Sequence, residues 1–371
     1  MKVLITTGIF PPDIGGPATY SALLLRELPA RGIGAEVLSF GHVRRFPKGM
    51  RHIVFFFRTL SAARGADIVY AQDPVSVGLP SFCAAACLRK KSVLKVVGDY
   101  AWEQAEARFG VRESLETFSK RKSGYGIRVR FLKVTERFVA RHADFVIVPS
   151  NYLKGIVENW GVPSEKIKVI YNAFENAPRE GNRDTIRKIL RFEGMLLISV
   201  GRLVPWKGFS AIIRLMPRIA KAYPGAKLLI VGDGPERKSL EHLVAKLRLS
   251  EKRVVFTGKL SQDTLHQYIR AADVFILNTA YEGFSHLLLE VMALGTPIIS
   301  TDAGGNRELL KDGENALLVR HDNAQDIEKS IRKVLTENTL SQRLVEGGRK
   351  TVTRFGTERM IRELVSVLSS V

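Results

Sequence analysis

Short apolar runs rich in β-branched residues recur along the chain, and stretches with helical spacing separate them. The runs lack strict alternation of apolar and polar residues, which is typical of strands covered on both faces in parallel sheets. The first series covers 2–7, 35–40, 66–71, 92–98, 143–150 and 168–172. The second covers 195–201, 226–233, 253–258, 272–278, 297–301 and 316–319. This pattern predicts an α/β protein with two successive Rossmann-like domains.

The segment 173–194 is charged and poor in strand pattern, so we place the domain boundary there. The first domain is then 1–172 and the second 173–356. The final segment, 357–371, is amphipathic and either caps the second domain or crosses back to the first. Its apolar residues at helical spacing are Met360, Leu364, Val367 and Leu368.

The pair Ala-Asp precedes three of the predicted strands, with the acids at Asp67, Asp144 and Asp273. We interpret this repeat as a device that ends a helix and leads the chain into the sheet. Its occurrence in both series supports the division into two similar domains.

The charge of the chain indicates its class of partner. Its 57 Lys and Arg residues outnumber its 37 Asp and Glu residues, for a net charge of +20. The excess leans to the N-terminal part, with 26 basic against 14 acidic residues up to residue 172. The positive electrostatic field of such a chain favours anionic partners: nucleic acid, phosphorylated substrates or anionic lipid. We find no aromatic-basic platform or motif that indicates nucleic acid.

Cys83 and Cys87 lie in an apolar stretch without further metal ligands nearby, so they predict buried thiols in a reducing compartment. The N-terminus is broken too early by proline to be a signal peptide. The longest apolar run, 75–88, is shorter than the ~20 residues that span a bilayer. We therefore expect a cytoplasmic protein, with peripheral attachment to a membrane surface as the alternative.

Three loops after predicted strands carry candidate chemistry. Gly15 and Gly16 let backbone approach a ligand at the start of a helix, without matching the dinucleotide fingerprint. Arg202 and Lys207 follow the first strand of the second domain, where cations suit a diphosphate leaving group. The turn 231–241 is rich in glycine and serves either a ligand or packing alone.

The stretch 282–305 holds two acids, Glu282 and Glu290, separated by seven residues. Gly283 permits a tight turn, so we predict a helix from about Ser285 to Leu294 with Glu282 just before it. The first amides of this helix attract phosphate or sugar oxygens. A carboxylate among packing residues needs hydrogen-bond donors, and sugar hydroxyls supply them. The spacing thus indicates a nucleotide-sugar, against the alternative of ordinary helix-face glutamates.

These motifs together resemble the retaining glycosyltransferases of family 4, which have the GT-B fold of two Rossmann-like domains facing each other across a cleft. The likeness covers essentially the whole chain. It is carried by "PPDIGG" (11–16), "GRLVPWKG" (201–208), "VGDGPE" (231–236) and Glu282–Glu290 followed by "GTPIISTDAGGNRE" (295–308). It implies a hexosyltransferase whose final helix, 357–371, crosses back to the N-terminal domain.

The resemblance also implies roles for single residues. Arg202 and Lys207 would hold the donor diphosphate, Glu282 the transferred sugar and Glu290 the ribose, with the base near 256–260. No metal or cofactor is implied, because cations and helix amides take the role of Mg²⁺. The departing phosphate would deprotonate the acceptor hydroxyl on the same face of the sugar. The residues expected to contact the donor are Gly15, Gly16, Gly283, Phe284, Ser285, His286, Leu287 and Glu290.

The chain departs from the family pattern after the predicted strand 92–98, where many relatives place a histidine that contacts the sugar. Asp99 is the nearest polar residue to fill that role, and a helix N-cap is its alternative. His286 and the pair Asn306-Arg307 also depart from the family pattern. These differences bear on the identity of the sugar more than on the reaction type.

The basic segment 120–145 carries Phe131, Leu132, Phe138 and Val139 near one helical stripe. It predicts either a helix that docks on anionic lipid or a Rossmann helix with its apolar side inward and its basic side outward. The leading hypothesis is transfer of a sugar from a nucleotide-sugar, such as a UDP- or GDP-sugar, to a glycan or lipid-linked acceptor. The alternatives are a small soluble acceptor and a catalytically silent protein that binds sugar nucleotides.

Overall fold

The structure is a computed structural model that describes residues 1–13, 15–174, 183–189, 192–250 and 252–371. The chain divides into two compact units, Met1–Asn172 with Thr357–Val371, and Ala173–Gly356. Within the predicted linker, 173–194, residues 175–182 and 190–191 lie outside the described residues.

The first unit is a six-stranded parallel sheet in the order β2-β1-β3-β4-β5-β6. The strands are β1 (Lys2–Thr7), β2 (Gly34–Ser39), β3 (Ile68–Ala71), β4 (Lys91–Lys95), β5 (Phe145–Val148) and β6 (Ile167–Val169). The α-helices between them are α1 (Gly16–Glu27), α2 (Lys48–Ala63), α3 (Gly78–Cys87), α4 (Tyr100–Phe109), α5 (Leu115–Lys120), α6 (Ile127–His142) and α7 (Asn151–Asn159).

The second unit repeats this plan in the order β12-β11-β10-β7-β8-β9, again with parallel pairing. The strands are β7 (Leu196–Val200), β8 (Lys227–Val231), β9 (Val254–Gly258), β10 (Val274–Leu277), β11 (Ile298–Ser300) and β12 (Leu317–Leu318). The α-helices are α8 (Arg183–Ile189), α9 (Phe209–Ala222), α10 (Arg237–Lys246), α11 (Gln262–Ala271), α12 (His286–Leu294), α13 (Ala324–Thr336) and α14 (Asn338–Val352). All twelve predicted strands and the parallel α/β class are confirmed.

The final helix, α15 (Thr357–Ser369), groups with the first unit although it follows the second in the chain. Met360, Leu364 and Leu368 are buried, as their helical spacing predicts. Glu358 at its start forms an ion pair with Arg31 of the first unit.

The Ala-Asp pairs lie at the amino ends of strands in both sheets. Asp67 accepts a hydrogen bond from the backbone N–H of Lys2 (2.7 Å), and Asp144 accepts one from Ser92 (2.9 Å). Asp273 does the same for Leu196 in the second unit (2.7 Å). In each case the carboxylate binds the start of the neighbouring strand, and we call these three contacts the aspartate clips. They satisfy backbone donors at the sheet edge and fix the register of the strands.

Lys95, the last residue of β4, is buried at 2% exposure in the first unit. Among the described residues, its ammonium has no hydrogen-bond partner, and it lies 3.2 Å from the ring centroid of Tyr20. Burial lowers the pKa of Lys95 to about 7. A charged Lys95 is therefore costly in the folded state.

We expect Lys95→Met to stabilise the protein by about 2 kcal/mol at pH 7, since a fitting apolar chain replaces an ammonium without hydrogen bonds. Between the folded pKa near 7 and the unfolded value of 10.5, the unfolded wild type binds the extra proton. Wild-type stability therefore rises with pH across this window, and the advantage of the variant shrinks. Melting temperatures at several pH values measure this, with exposed Lys122→Met as the control. An advantage that is constant with pH would contradict it.

Helix α6 has the expected orientation of a Rossmann helix, apolar inward and basic outward, only in part. Val129 and Ala140 are buried and Arg128 is exposed, but other apolar residues are exposed as well. Phe131 and Phe138 of the predicted stripe are exposed, whereas Val139 is buried and Leu132 half-buried. The charged residue Lys133 is buried instead. Apolar side chains thus point outward from much of this helix. Across the described ranges, no helix combines the length and the apolar character that crossing a bilayer requires.

Candidate functional site

Lys207 and Glu282 form an ion pair within the second unit. Lys207 ends the short 3₁₀ helix Pro205–Lys207, which follows β7, and Glu282 lies in the loop between β10 and α12. Because β7 and β10 are parallel neighbours, their carboxyl ends meet at the same edge of the sheet. Both side chains are mostly buried, at 15% and 17% exposure. The structure thus brings together two residues that are far apart in the sequence.

Gly208 fixes the position of the loop that carries Lys207. Its φ of 57° is in the left-handed region, and an added Cβ would lie 2.3 Å from the backbone oxygen of Asn278. The buried Asn278 amide donates to the carbonyl of Gly208 (3.0 Å) and to Asp322 (2.7 Å). Only glycine fits between these groups without displacement. The sequence therefore sets the Lys207 loop tightly against the end of β10.

The loop that carries Glu282 is joined to the same framework. Ala280 donates its N–H to the carbonyl of Trp206 (2.7 Å), and the Thr279 hydroxyl donates to that oxygen as well (3.2 Å). Gly305 donates its N–H to the carbonyl of Glu282 (2.9 Å). The double glycine that follows β11 therefore contacts the backbone of Glu282 through Gly305. This contact gives a structural role to the two glycines that follow the acidic motif in the sequence.

The glycine-rich turn after β8 packs against the loop of Arg202. A Cβ on Gly232 would lie 2.0 Å from the carbonyl of Gly201, and one on Gly234 would lie 2.3 Å from that of Leu203. Gly201 and Leu203 also donate backbone hydrogen bonds to this turn. These contacts favour the packing role for the turn. Arg202 is exposed and, within the ranges that the structure describes, its guanidinium forms no ion pair.

Helix α12 begins at His286 and ends at Leu294, as predicted, with Ser285 as its N-cap. The Ser285 hydroxyl accepts a hydrogen bond from the N–H of Leu288 (3.3 Å). Phe284 and Gly283 are buried, and the Phe284 ring centroid lies 5.3 Å from that of Phe355. The side chain of Phe284 therefore packs inside the unit. His286 and Leu287, in the first turn, are half-buried.

Glu290 lies one turn further into α12, with its side chain at 18% exposure. Its Oε2 is 3.4 Å from Nε2 of His266 on α11. The His266 ring in turn contacts Phe174, with 6.3 Å between the ring centroids. Glu290 thus has a polar neighbour and remains partly accessible. The second unit therefore combines two mostly buried acids with two cations at the carboxyl edge of its sheet.

Comparison with known proteins identifies the family. The model of the glycosyl transferases group 1 matches residues 182–351, and that of the glycosyl transferase 4-like domain matches 34–173. The chain belongs to the group 1 glycosyltransferases.

Two curated relatives match part of this chain. The lipopolysaccharide core biosynthesis glycosyltransferase LpsE of Rhizobium meliloti is 32% identical over 62% of the chain and 65% of its own length. The N-acetylgalactosamine-N,N'-diacetylbacillosaminyl-diphospho-undecaprenol 4-alpha-N-acetylgalactosaminyltransferase of Campylobacter jejuni is 27% identical over 61% of the chain and 60% of its own length. The chain thus spans about three fifths of the length of the curated relatives it matches.

The fold of this chain is shared with solved structures over its full length. The crystal structure of Anabaena Alr3699/HepE in complex with UDP-glucose matches with a TM-score of 0.77 and 21% identity, covering 100% of both chains. Sucrose-phosphate synthase from Thermosynechococcus elongatus matches with a TM-score of 0.80 and 20% identity, covering 100% of this chain and 99% of the other. The two sheets therefore have the GT-B architecture expected from the motifs.

Asp99 does not lie at an open surface, contrary to the expectation that it contacts sugar or acceptor. It is fully buried as the N-cap of α4, where it accepts a hydrogen bond from the N–H of Trp102 (2.8 Å). Burial raises the pKa of its carboxyl. The structure therefore favours the capping alternative, because a buried carboxylate that caps the start of a helix is not available to a substrate.

Gly15 and Gly16 lie in the first unit, at the start of α1. The adjacent residue of the motif, Ile14, is outside the described residues. A Cβ on Gly15 would lie 2.8 Å from Cδ1 of Ile9, so the turn into α1 is close-packed. Pro17 in the first turn of the helix fits this start, because proline is favoured there.

Reasoning from the sequence missed two residues of the site, His266 and Asn278. Asn278 directly follows a buried strand, and a polar residue at that position is a signal that could have found it. His266 lies within a helix and reaches Glu290 only through the tertiary packing of α11 on α12. Nothing in the local pattern distinguishes it from other histidines.

Proposed function

We propose that this protein is a retaining glycosyltransferase that moves a sugar from a nucleotide-sugar to a hydroxyl acceptor without a metal ion. The observation that carries the proposal is the Lys207–Glu282 ion pair beside the exposed Arg202, at the carboxyl edge of the second sheet. Ligands of open α/β sheets bind at this edge. A diphosphate suits the two cations, and sugar hydroxyls suit the carboxylate.

Each side chain has one role in this proposal. Lys207 and Arg202 bind the donor diphosphate and stabilise the charge that develops as it leaves. Glu282 accepts hydrogen bonds from the transferred sugar and orients Lys207 through their ion pair. Glu290, with His266 beside it, accepts hydrogen bonds from the ribose hydroxyls.

The reaction that fits these roles is substitution on one face of the sugar. The bond from the anomeric carbon to the phosphate oxygen breaks as the acceptor oxygen forms a new bond on the same face. The acceptor proton passes to the departing phosphate oxygen, so no protein nucleophile is needed. The cations supply the positive charge that this leaving group requires.

The printed names of related proteins support the donor and acceptor classes. Structures of Alr3699/HepE hold UDP or UDP-glucose, so we propose a nucleotide-sugar donor for this chain. LpsE acts in lipopolysaccharide core biosynthesis, and the name of the Campylobacter enzyme includes a diphospho-undecaprenol. We therefore propose a surface polysaccharide or lipid-linked glycan as the acceptor, with a small soluble acceptor as the alternative.

A donor screen tests this function. We expect one class among UDP-, GDP- and ADP-sugars to raise the melting temperature and to be hydrolysed slowly to the nucleoside diphosphate, with the same rate in EDTA. NMR of the released sugar should show the anomeric configuration of the donor in the first product. Binding without hydrolysis of any donor would favour a silent sugar-nucleotide-binding protein, and an inverted first product would contradict retention.

A further inference from the structure

Helix α6 of the first unit buries two charged residues and exposes a stripe of apolar ones. Lys133 and Glu136 are buried at 4% and 0% exposure. The outward side carries an apolar stripe at helical spacing, with arginines on either side of it. The apolar stripe consists of Ile127 (84% exposed), Phe131 (63%), Val134 (65%) and Phe138 (42%).

Hydrogen bonds hold the helix in this orientation. The ammonium of Lys133 donates to the carbonyls of Phe118 and Arg121, the latter at 2.9 Å. Oε2 of Glu136 accepts a hydrogen bond from the N–H of Ala101 at the start of α4 (3.1 Å). Rotating α6 to bury the apolar stripe would break these bonds and leave backbone groups unpaired. The exposure of the apolar stripe is therefore a fixed property of the fold.

A cavity of about 400 Å³ lies between α4 and α6, next to the apolar stripe. Its lining is mainly apolar and holds two cations, and no carboxylate is among the lining residues. Residues 127 and 131 belong both to the cavity and to the apolar stripe, so the two surfaces are continuous. The lining includes Tyr100, Phe109, Ile127 and Phe131, with Arg108 and Arg128.

Helix α2 adds exposed apolar residues on the same face of the sheet. α2 packs on α3, and α3 packs on α6, where the rings of Phe82 and Phe138 meet at 5.6 Å. The large apolar side chains exposed on α2 are Met50, Ile53 and Phe57. This face therefore presents apolar side chains from two helices in the more basic part of the chain.

The chemistry of this face selects a lipid over other occupants. An apolar helix face flanked by arginines is typical of a helix that lies in the interface of an anionic bilayer. Arginines in a cavity without carboxylates suit an anionic group such as a phosphate. Because the cavity opens onto the apolar stripe, a lipid chain reaches it from the bilayer without crossing water.

We propose that the cavity between α4 and α6 binds the phosphorylated lipid end of a lipid-linked acceptor. Arg108 and Arg128 bind the phosphate, and Ile127 and Phe131 contact the first part of the apolar chain. The apolar stripe and the exposed residues of α2 hold this face on the membrane. This inference rests on the proposed glycosyl transfer and specifies the class of its acceptor.

Vesicle co-sedimentation of the full chain tests the inference. The vesicles are phosphatidylcholine with a polyprenyl phosphate, and phosphatidylcholine with phosphatidylglycerol at matched surface charge. We expect tighter binding to the polyprenyl phosphate vesicles. Arg108→Ala/Arg128→Ala should weaken that binding roughly tenfold or more, since each arginine near an anionic surface contributes ~1 kcal/mol. The control, Arg214→Ala/Arg343→Ala, removes two exposed arginines of the second unit and should bind as the wild type does.

Phe131→Ser is a second variant that removes an exposed ring and leaves the core intact, and it should also weaken binding. Melting temperatures verify that every variant is folded. Equal wild-type binding to both anionic vesicles, no binding to either, or undiminished binding by the double variant overturns the inference. A UDP titration of the wild type tests the donor site separately. The titration is repeated with GDP and ADP. A melting shift with one of the three nucleotides but no lipid preference overturns only the lipid site, whereas no shift with any of them counts against the proposed function.

Discussion

Lys207→Ala is expected to reduce turnover by about two to three orders of magnitude, which is the usual cost of removing a charged group that stabilises a developing anion. The variant also leaves Glu282 partly buried without its ion-pair partner. We therefore expect a modest fall in stability, about 1–2 kcal/mol, beside the large loss of turnover. Steady-state kinetics with the preferred donor, together with a melting curve, measure both effects.

Lys221→Ala is the matched control, because Lys221 is an exposed lysine on α9 of the same unit. It should leave turnover and melting temperature as in the wild type. Turnover in the Lys207 variant equal to that of this control would refute the diphosphate role. A loss confined to KM, with kcat kept, would mean that Lys207 binds the donor without stabilising the transition state.

Gly208→Ala is expected to destabilise the second unit by about 3 kcal/mol or more and to abolish turnover. The new Cβ would lie 2.3 Å from both the amide nitrogen and the backbone oxygen of Asn278, and 2.8 Å from Asp322. These groups hold the loop in place, so the backbone of Lys207 must shift. Urea unfolding measures the loss of stability, and donor hydrolysis measures the loss of activity.

Gly313→Ala separates backbone strain from the steric clash. Gly313 has a φ of 68°, close to that of Gly208, but its Cβ would meet only the end of the Arg343 side chain, at 4.0 Å. We expect this control to cost about 1 kcal/mol, the usual penalty of a left-handed L-residue, and to keep its activity. Equal effects of the two substitutions would show that the contact with Asn278 does not matter.

The strands could be predicted from the sequence because each buried run carries its own signal. Runs such as 195–201 and 226–233 are short and apolar, as is typical of a strand covered on both faces. The start of α12 could also be predicted from the local sequence, since Ser285 is a good N-cap residue and Gly283 permits the preceding turn.

The sequence predicts the geometry of the site only where one short motif determines it. The Lys207–Glu282 contact joins loops 75 residues apart, and it depends on parallel pairing that no short motif encodes. Asp99 illustrates the opposite error. Its position after β4 fits a ligand contact and a helix cap equally well, and only its burial decides between them.

The exposed apolar stripe and the buried charges of α6 could not be predicted, because a helical pattern gives the spacing of its apolar residues but not the side that faces inward. Partners elsewhere decide the orientation. Lys133 finds carbonyl groups at the end of α5, and Glu136 finds an unpaired amide at the start of α4. Such partners lower the cost of burying a charged side chain, and their positions follow from the tertiary fold.

The aspartate clips lie at the amino ends of the strands in each sheet, and in the second sheet the Asp273 clip is opposite the carboxyl edge that carries Lys207 and Glu282. In the second sheet, the contact that fixes the strand register and the proposed ligand site therefore lie at opposite ends of the same strands. Loops at the recognition end are free to diverge toward new sugars without loosening the alignment of the strands. A protein organised in this way can change its specificity through substitutions in these loops while the residues that align its strands are kept.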